Sequence, residues 1–198
     1  MKQNFRPIDG EVAKPAGVGL DELDSQDIVK LAFEFTILTA ARSGNTRGAE
    51  WSETKWDDRM WVIPDSRMKA KKEHRVPLTV RCLEILSEAQ ELTKRSPLIF
   101  CHPKTKKPFS NAISTSLLHK GLEVAYTMHG FRSSFRDWGS EKTSHSHELL
   151  EVSLAHLPGD QTEQAYWRGD MIERRMSLME ERAGFAVSGA PIRKKYCL

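Results

Sequence analysis

The chain has 198 residues, 39% of them hydrophobic and 29% charged, and a formal net charge of +3 at pH 7. These values predict one cored domain with terminal tails, and no apolar run approaches the roughly 20 residues that cross a bilayer. The three cysteines are odd in number and far apart, and no Cys-x-x-Cys occurs. We therefore expect no disulfide framework, no zinc site and a cytoplasmic location.

The first part of the chain predicts an arm followed by helices. Residues 1–24 contain scattered proline and glycine with little periodicity, which is typical of an irregular N-terminal arm. Ser25 can cap a helix whose apolar residues recur at helical spacing up to about residues 41–44. A short helix around residues 46–51, with Trp51 buried, is expected next.

The middle of the chain predicts a small sheet and two further helices. Residues 55–64 read as a β-strand, and residues 67–68 and 75–78 are its expected antiparallel partners. Thr79 can cap a helix that contains Val80, Leu83 and Ala89. Residues 97–108 are predicted to form a loop, and Ser110 to begin another helix through Leu118.

The last third predicts three more helices. They cover residues 129–142, residues 147–156 and a final segment for which Asp170 and Glu173 resemble a capping pair. Residues 157–165 turn into the segment around Tyr166, and residues 184–198 read as a loose basic tail. The chain is therefore predicted to be mainly α with a small antiparallel β-sheet (α+β), its domain spanning residues 25–183.

Positive charge is concentrated in one short segment. Between residues 67 and 75, a single Glu73 accompanies five basic side chains: Arg67, Lys69, Lys71, Lys72 and Arg75. Such a cluster attracts a phosphate backbone, which predicts DNA contacts by Arg67, Lys71, Lys72 and Arg75. Charge alone is equally compatible with a solvated hairpin tip.

Several groups suited to phosphate chemistry occur in a fixed order along the chain. They are Arg42, Lys69, His129, Arg132, His156 and Tyr166. His129 and Arg132 can share one face of a helix. Guanidiniums are permanently charged and shaped for paired contacts with phosphate oxygens, whereas histidine suits proton transfer. Each residue has a simpler explanation alone, but the order favours a common site.

The segments that carry these residues resemble, in order, the active-site boxes of the tyrosine recombinases, and most of all phage-type integrases. The stretch TAARSGNTRGAEW resembles the first box, with Arg42. In RMKAKKEHRVPL the family's catalytic lysine lies seven residues before the valine, at Lys69. HGFRSSFRDW would supply His129 and Arg132. LAHLPGDQTEQAYWRGDMIERR would supply the last two residues, His156 and Tyr166.

The resemblance implies the integrase catalytic-core fold and site-specific recombination of DNA in the integration or excision of a mobile element. Tyr166 would form a covalent 3′-phosphotyrosine, while Arg42 and Arg132, helped by His156, balance the phosphate charge. His129 would accept the tyrosine proton, and Lys69 would protonate the leaving 5′ oxygen. The implied partners are double-stranded DNA and other protomers on DNA, at the nucleoid, with no metal, no small-molecule cofactor and no membrane.

Alternatives remain open for individual residues. Tyr166 could pack beside Trp167, and His156 could be a core histidine. Arg42 could cap the preceding helix, and Lys69 could be a solvated turn residue, leaving the general acid to one of the neighbouring lysines.

Alternatives also remain for the whole chain. Asn45 stands where the family usually has an acidic residue, and Trp167 stands where a smaller polar residue is common. Too few residues precede Ser25 for the core-binding domain of full integrases. These departures favour a truncated integrase remnant that binds DNA without recombining. A type IB topoisomerase is a further alternative, because it shares the cleavage chemistry, but the integrase-like sequences of the boxes argue against it.

Overall fold

The computed structural model describes residues 20–110, 128–156 and 170–187. Within these ranges the helices are α1 (Leu20–Thr39), α2 (Ser43–Arg47), α3 (Val80–Leu92), α4 (Met128–Lys142), α5 (His147–Ser153) and α6 (Ile172–Val187). The strands β1 (Thr54–Lys55), β2 (Met60–Ile63) and β3 (His74–Pro77) form one antiparallel sheet in that order. The predicted fold class, mainly α with a small antiparallel sheet, is confirmed. No helix in the described ranges is both long and apolar enough to span a membrane.

The first and the last helix extend beyond the positions expected from the sequence. Helix α1 begins at Leu20, so the assignment of Ser25 as its cap is wrong and residues 20–24 of the predicted arm are helical. At the other end, α6 continues into the predicted 184–198 tail as far as Val187.

The sheet differs from the prediction in two places. The predicted strand 55–64 is interrupted by a turn at residues 56–59, which lets β1 fold back on β2 and pair Thr54 with Trp61. The expected strand at residues 67–68 is wrong, because a short 3₁₀ helix, Asp65–Arg67, follows Pro64. The pairing of β2 with β3 is confirmed and sets Ile63 opposite His74.

The larger core lies between α1, the sheet and α3. Phe35 of α1 packs against Trp61 and Phe100, with ring centroids 5.3 Å apart in both pairs. Helix α3 buries the residues at helical spacing that include Cys82 and Leu86. The predicted Thr79 cap is confirmed, since its side chain accepts a hydrogen bond from the backbone N–H of Cys82 at 3.3 Å.

A second apolar cluster positions the candidate site. It contains Ala40, Phe135, Trp138, Leu149, Leu150, Leu154, Leu178 and Met179. Gly139 lets α4 approach α5 closely, because a Cβ at this position would lie 2.3 Å from Cδ2 of the buried Leu150. Since Ala40 belongs to this cluster, the chain reaches the junction of α4 and α5 as α1 ends.

The remaining predicted elements have other bounds in the structure or lie outside the described residues. The short helix is α2, at Ser43–Arg47 rather than residues 46–51, and Trp51 is only partly buried. Helix α5 ends at Ser153 instead of residue 156. Asp170 lies ahead of α6, and its carboxylate pairs with Arg75 at 3.3 Å. The predicted helix 110–118 lies almost wholly outside the described residues.

Candidate active site

Arg132 lies where α1, α4 and α5 meet. Its guanidinium is buried, with 7% of the residue exposed. NH1 donates to the carbonyl of Ala40, and NH2 donates to the carbonyl of Leu154 at 2.5 Å. Carbonyls at helix ends lack partners within the helix, so these bonds satisfy both groups. No described residue accepts a hydrogen bond from the Nε–H of Arg132.

Two alanines in the left-handed region turn the chain just before two of the predicted site residues. Ala40 precedes the segment that holds Arg42, and Ala155 precedes His156; each has a φ of 50°. A residue in this conformation commonly ends a helix, but for alanine it costs about 1 kcal/mol or more. Strain of this kind persists only where packing enforces it, as at Ala40, which is 2% exposed.

Arg42 stands between α1 and α2 and is half-buried. Within the described part of the chain, its guanidinium makes no hydrogen bond or ion pair, and it does not cap α1. Burial, and then the charge of Arg42, lower the pKa of Arg132 to about 10, while Glu151 acts in the opposite direction. Arg132 is therefore charged at neutral pH and close enough to Arg42 for the two guanidiniums to repel each other, which favours an anion between them.

His156 lies at the exposed edge of this pair of arginines. Its Nε2 is 3.2 Å from NH2 of Arg132, and its Nδ1 is 2.8 Å from Oε2 of Glu151. The side chain is 43% exposed, so the alternative of a core histidine is wrong. The structure thus brings together Arg42, Arg132 and His156.

His74, at the start of β3, belongs to the same site although the sequence did not point to it. Burial, followed by the positive charges of Arg175, Arg132 and Arg42, lowers the pKa of His74 to about 3, and a hydrogen bond with the backbone of Ser153 opposes this shift. His74 is therefore neutral at physiological pH. The sequence feature that could have identified His74 is strand alternation, because His74 shares a face of β3 with the buried Val76.

Arg175 of α6 is a second unpredicted member. It is 1% exposed, and within the described residues its Nε and NH2 find no hydrogen-bond partner. NH1 donates to the carbonyl of Asp170 at 3.4 Å, and burial lowers the pKa of Arg175 to about 10. The sequence feature that could have identified Arg175 is its helical spacing from the buried Leu178 and Met179. The arginine–histidine cluster, as we name it, comprises Arg42, Arg132, Arg175, His74 and His156.

The β2–β3 loop (residues 64–73) carries the predicted lysine and its neighbours. Lys69, Lys71 and Lys72 are exposed, and their ammonium groups form no hydrogen bond or ion pair with any described residue. Arg67 differs, since it pairs with Glu53 and donates to the carbonyl of Asn45. Arg75 follows the loop in β3 and is 45% exposed beside Asp170.

A buried carboxylate that the sequence did not reveal supports the base of this loop. Glu53 is 8% exposed, binds Arg67 and accepts a hydrogen bond from Nε1 of Trp61 at 2.9 Å. Asn45, which replaces the family's usual acidic residue, is also buried and directs Nδ2 toward Sδ of Met68 at 3.3 Å. Arg67 therefore links the buried carboxylate of Glu53 to the backbone carbonyl of Asn45.

The other predicted site residues are only partly described. His129 lies on α4 with Arg132, but its side chain is outside the described part, as is Tyr166 altogether. Among the described residues, no group of three or more His, Cys, Asp and Glu side chains could hold a metal ion. The described site thus offers fixed guanidiniums and imidazoles to an anion.

Comparisons with known proteins bear on this site. The model of the family described as "Phage integrase family" matches residues 20–171. Prophage integrase IntA of Escherichia coli (strain K12) is 29% identical over 150 residues, covering 75% of this chain and 36% of that protein. The integrase of Enterobacteria phage P4 is 28% identical over 155 residues, with coverages of 70% and 35%. The chain spans less than half the length of these relatives.

Among solved structures, the lambda integrase catalytic core aligns with a TM-score of 0.49 at 18% identity. The alignment covers 71% of this chain and 91% of that one. The crystal structure of XerA recombinase aligns with the same TM-score at 14% identity, covering 94% of this chain and 68% of that one.

Proposed function

The chain belongs to the phage integrase family, and we propose that it is the catalytic part of a site-specific DNA recombinase. It would break and rejoin strands through a covalent 3′-phosphotyrosine at Tyr166. The observation that carries this proposal is the buried guanidinium of Arg132, held by two helix-end carbonyls with His156 at 3.2 Å and the charge of Arg42 nearby. A scissile phosphate would lie between these groups.

The cations suit the transition state of this reaction. As phosphorus becomes five-coordinate, negative charge grows on the non-bridging oxygens, and fixed donors stabilise it without reorganising. Arg132 is fixed by protein carbonyls, whereas Arg42 makes no hydrogen bond to a described residue and keeps its donors for the phosphate. Guanidiniums make the paired contacts that this geometry requires.

Proton transfers complete the proposed reaction. The Tyr166 oxygen attacks phosphorus, the P–O5′ bond breaks, and the tyrosine proton passes to His129. A phenol with an ordinary pKa near 10 is a weak nucleophile at neutral pH, and nearby cations favour its phenolate. Lys69, on the exposed β2–β3 loop, donates a proton to the leaving 5′ oxygen. The reverse sequence, with a 5′-hydroxyl as attacking group, rejoins the strand without metal or nucleotide.

Binding of double-stranded DNA would rely on exposed cations around this centre. Lys71 and Lys72 are free to contact phosphates, while Arg75 would exchange its ion pair with Asp170 for one. Arg67 would contribute less, because Glu53 already holds it. Such contacts release counterions, so affinity should fall steeply with salt. The protein would act in the cytoplasm, at the nucleoid, together with other protomers assembled on DNA.

The test is covalent trapping on nicked DNA. Because the target sequence is not known, duplexes with randomised sequence around a nick are incubated with the protein in EDTA, and adducts are recovered under denaturing conditions. Wild type should form an adduct, and Tyr166→Phe should form none while binding DNA equally. Tyr126→Phe and Tyr196→Phe are the matched controls and should behave like wild type.

The same experiment decides against the alternative. DNA binding without any adduct would support a truncated remnant that no longer recombines. An adduct formed by Tyr166→Phe would contradict the assignment of the nucleophile.

A further inference from the structure

Glu151 was not predicted from the sequence, yet its carboxylate contacts both His156 and Arg136. Oε2 lies 2.8 Å from Nδ1 of His156, while Oε1 lies 2.9 Å from Nε of Arg136 and 3.5 Å from Nε2 of His147. The geometry to Arg136 is that of an ion pair rather than a hydrogen bond. The Glu151 side chain is 12% exposed, against 50% for Arg136 and 62% for His147. The carboxylate is therefore shielded from solvent and neutralised on one side.

Backbone structure also holds Glu151 and His156 together. At the end of α5, the N–H of His156 donates to the carbonyl of Glu151 at 3.0 Å, and the N–H of Ala155 donates to that of Val152 at 3.0 Å. These are the two bonds of a Schellman motif, whose left-handed residue is Ala155 with a φ of 50°. The motif turns the chain back over the last turn of α5, so backbone geometry alone places His156 beside Glu151.

The two ring nitrogens of His156 face partners of opposite kind. A guanidinium can only donate, so Nε2, at 3.2 Å from NH2 of Arg132, accepts. A carboxylate oxygen of Glu151 accepts from Nδ1. The hydrogen bond at one ring nitrogen determines which nitrogen carries the proton. A neutral imidazole satisfies both partners only with hydrogen on Nδ1.

We propose that Glu151 is a positioning residue for strand cleavage, which holds His156 in the Nδ1–H tautomer and directs Nε2 at the phosphate site beside Arg132. This inference rests on the proposed function. In this state the electron pair of Nε2 accepts from Arg132, and once a phosphate oxygen takes this donor, Nε2 can take a proton from solvent. Nε2–H then donates to a non-bridging phosphate oxygen, while Nδ1–H stays bonded to Glu151 and keeps the ring in this orientation.

The first measurement reads the tautomer without DNA. In protein with ¹⁵N-labelled histidine, the ring nitrogens of His156 are observed by NMR above the titration range of the ring and assigned by the loss of their signals in His156→Gln. Wild type should show a pyrrole-like Nδ1 and a pyridine-like Nε2. Glu151→Ala should shift the population toward Nε2–H. Glu148→Ala, which removes an exposed carboxylate from the same helix, should leave it unchanged.

The second measurement links the tautomer to cleavage. At saturating nicked DNA, Glu151→Ala should form the covalent adduct roughly 10- to 100-fold more slowly, the usual cost of losing a partner that orients a functional histidine. DNA affinity and the melting temperature should change little. Glu151→Gln keeps an oxygen that can accept from Nδ1–H, and it should retain the wild-type tautomer and most of the rate.

Several outcomes would overturn the inference. A wild-type Nε2–H tautomer, an unchanged tautomer in Glu151→Ala, or a changed tautomer with an unchanged rate would each do so. Equal rate loss in Glu151→Gln and Glu151→Ala would also count against it. If wild type formed no adduct, the proposed function would be contradicted instead. The NMR measurement would still establish whether Glu151 determines the tautomer of His156.

Discussion

The cations of this protein occur in two contrasting environments. In the arginine–histidine cluster, Arg132 and Arg175 are 7% and 1% exposed, and Arg132 is held by the carbonyls of helix ends. In the β2–β3 loop, Lys69, Lys71 and Lys72 are exposed, and their ammonium groups have no described partner. Burial lowers the pKa of Arg132 and Arg175 to about 10, which still leaves both charged at neutral pH.

This difference matches the tasks that the two regions would perform. Stabilising a transition-state charge requires donors already in place, and a buried guanidinium held by carbonyls satisfies that requirement. Donating a proton to a leaving oxygen requires a group that can lose its proton, for which lysine is suited and arginine is not. We therefore expect substitution of the buried Arg132 to change charge stabilisation and stability together, and substitution of Lys69 in the loop to change proton transfer alone.

The largest effect is expected in the loop. Lys69→Ala should slow cleavage of ordinary nicked DNA by roughly 10²- to 10⁴-fold, the usual contribution of a general acid. A 5′-bridging phosphorothiolate leaves as a thiolate and needs no proton, so this substrate should restore the rate. Adduct formation on the two substrates provides the measurement.

Lys71→Ala and Lys72→Ala are the matched controls for this prediction. Both remove an exposed lysine from the same loop and should cleave ordinary DNA at nearly the wild-type rate. If one of them instead needed the phosphorothiolate for rescue, the general acid would be that lysine and not Lys69.

Next in size is the pair Arg42→Lys and Arg132→Lys. Each should slow cleavage roughly 10²-fold or more, about 3 kcal/mol in the barrier, because an ammonium cannot replace the paired contact. Only Arg132→Lys should also lower the free energy of unfolding, by about 1–3 kcal/mol, since it leaves a buried carbonyl of Ala40 or Leu154 without a donor. Single-turnover cleavage and urea unfolding measure the two effects. Equal stability of both variants would contradict the contrast between a bound and a free guanidinium.

Locally encoded features of the fold were predictable. The Thr79 cap and the apolar spacing of α3 depend on neighbouring residues, and both are confirmed. The ends of α1 and α6 were misplaced because their helical residues continue into segments that look irregular in sequence. The strand expected at Arg67 failed because the residues after Pro64 form a 3₁₀ turn.

For the site, the order of the motifs anticipated that Arg132 and His156 lie together. The remaining members depend on tertiary packing. His74 enters the cluster only because β3 packs against α6, and Glu151 reaches His156 only through the turn that ends α5. The roles of His129 and Tyr166 stay predictions.

A smaller effect concerns the neutral histidine among the arginines. The pKa of His74 is lowered from 6.5 to about 3 on folding, so between these values the unfolded chain binds a proton that the folded protein does not. Stability should therefore fall as pH decreases from 6.5 toward 3. His74→Gln removes this term, and its unfolding free energy should depend less on pH, by up to about 1.4 kcal/mol per pH unit. Parallel curves for the two proteins between pH 4 and 6.5 would contradict the burial of a neutral ring.

The smallest effect is expected for the ion pair between β3 and the segment that precedes α6. Arg75 of β3 and Asp170, which precedes α6, lie 3.3 Å apart and are 45% and 39% exposed. Exposed pairs contribute about 0.2–1 kcal/mol, so a double-mutant cycle with Arg75→Ala and Asp170→Ala should give a coupling in that range that disappears near 1 M salt. The pair Arg59–Glu180, similarly exposed at 38% and 41%, is the matched control for this salt dependence.

The two residues of the Arg75–Asp170 pair should differ in their effect on DNA binding. Arg75→Ala removes a phosphate contact and should weaken DNA affinity, whereas Asp170→Ala removes a competing carboxylate and should not. Weaker DNA binding by Asp170→Ala at unchanged stability would instead assign the carboxylate a role in holding Arg75 toward the DNA.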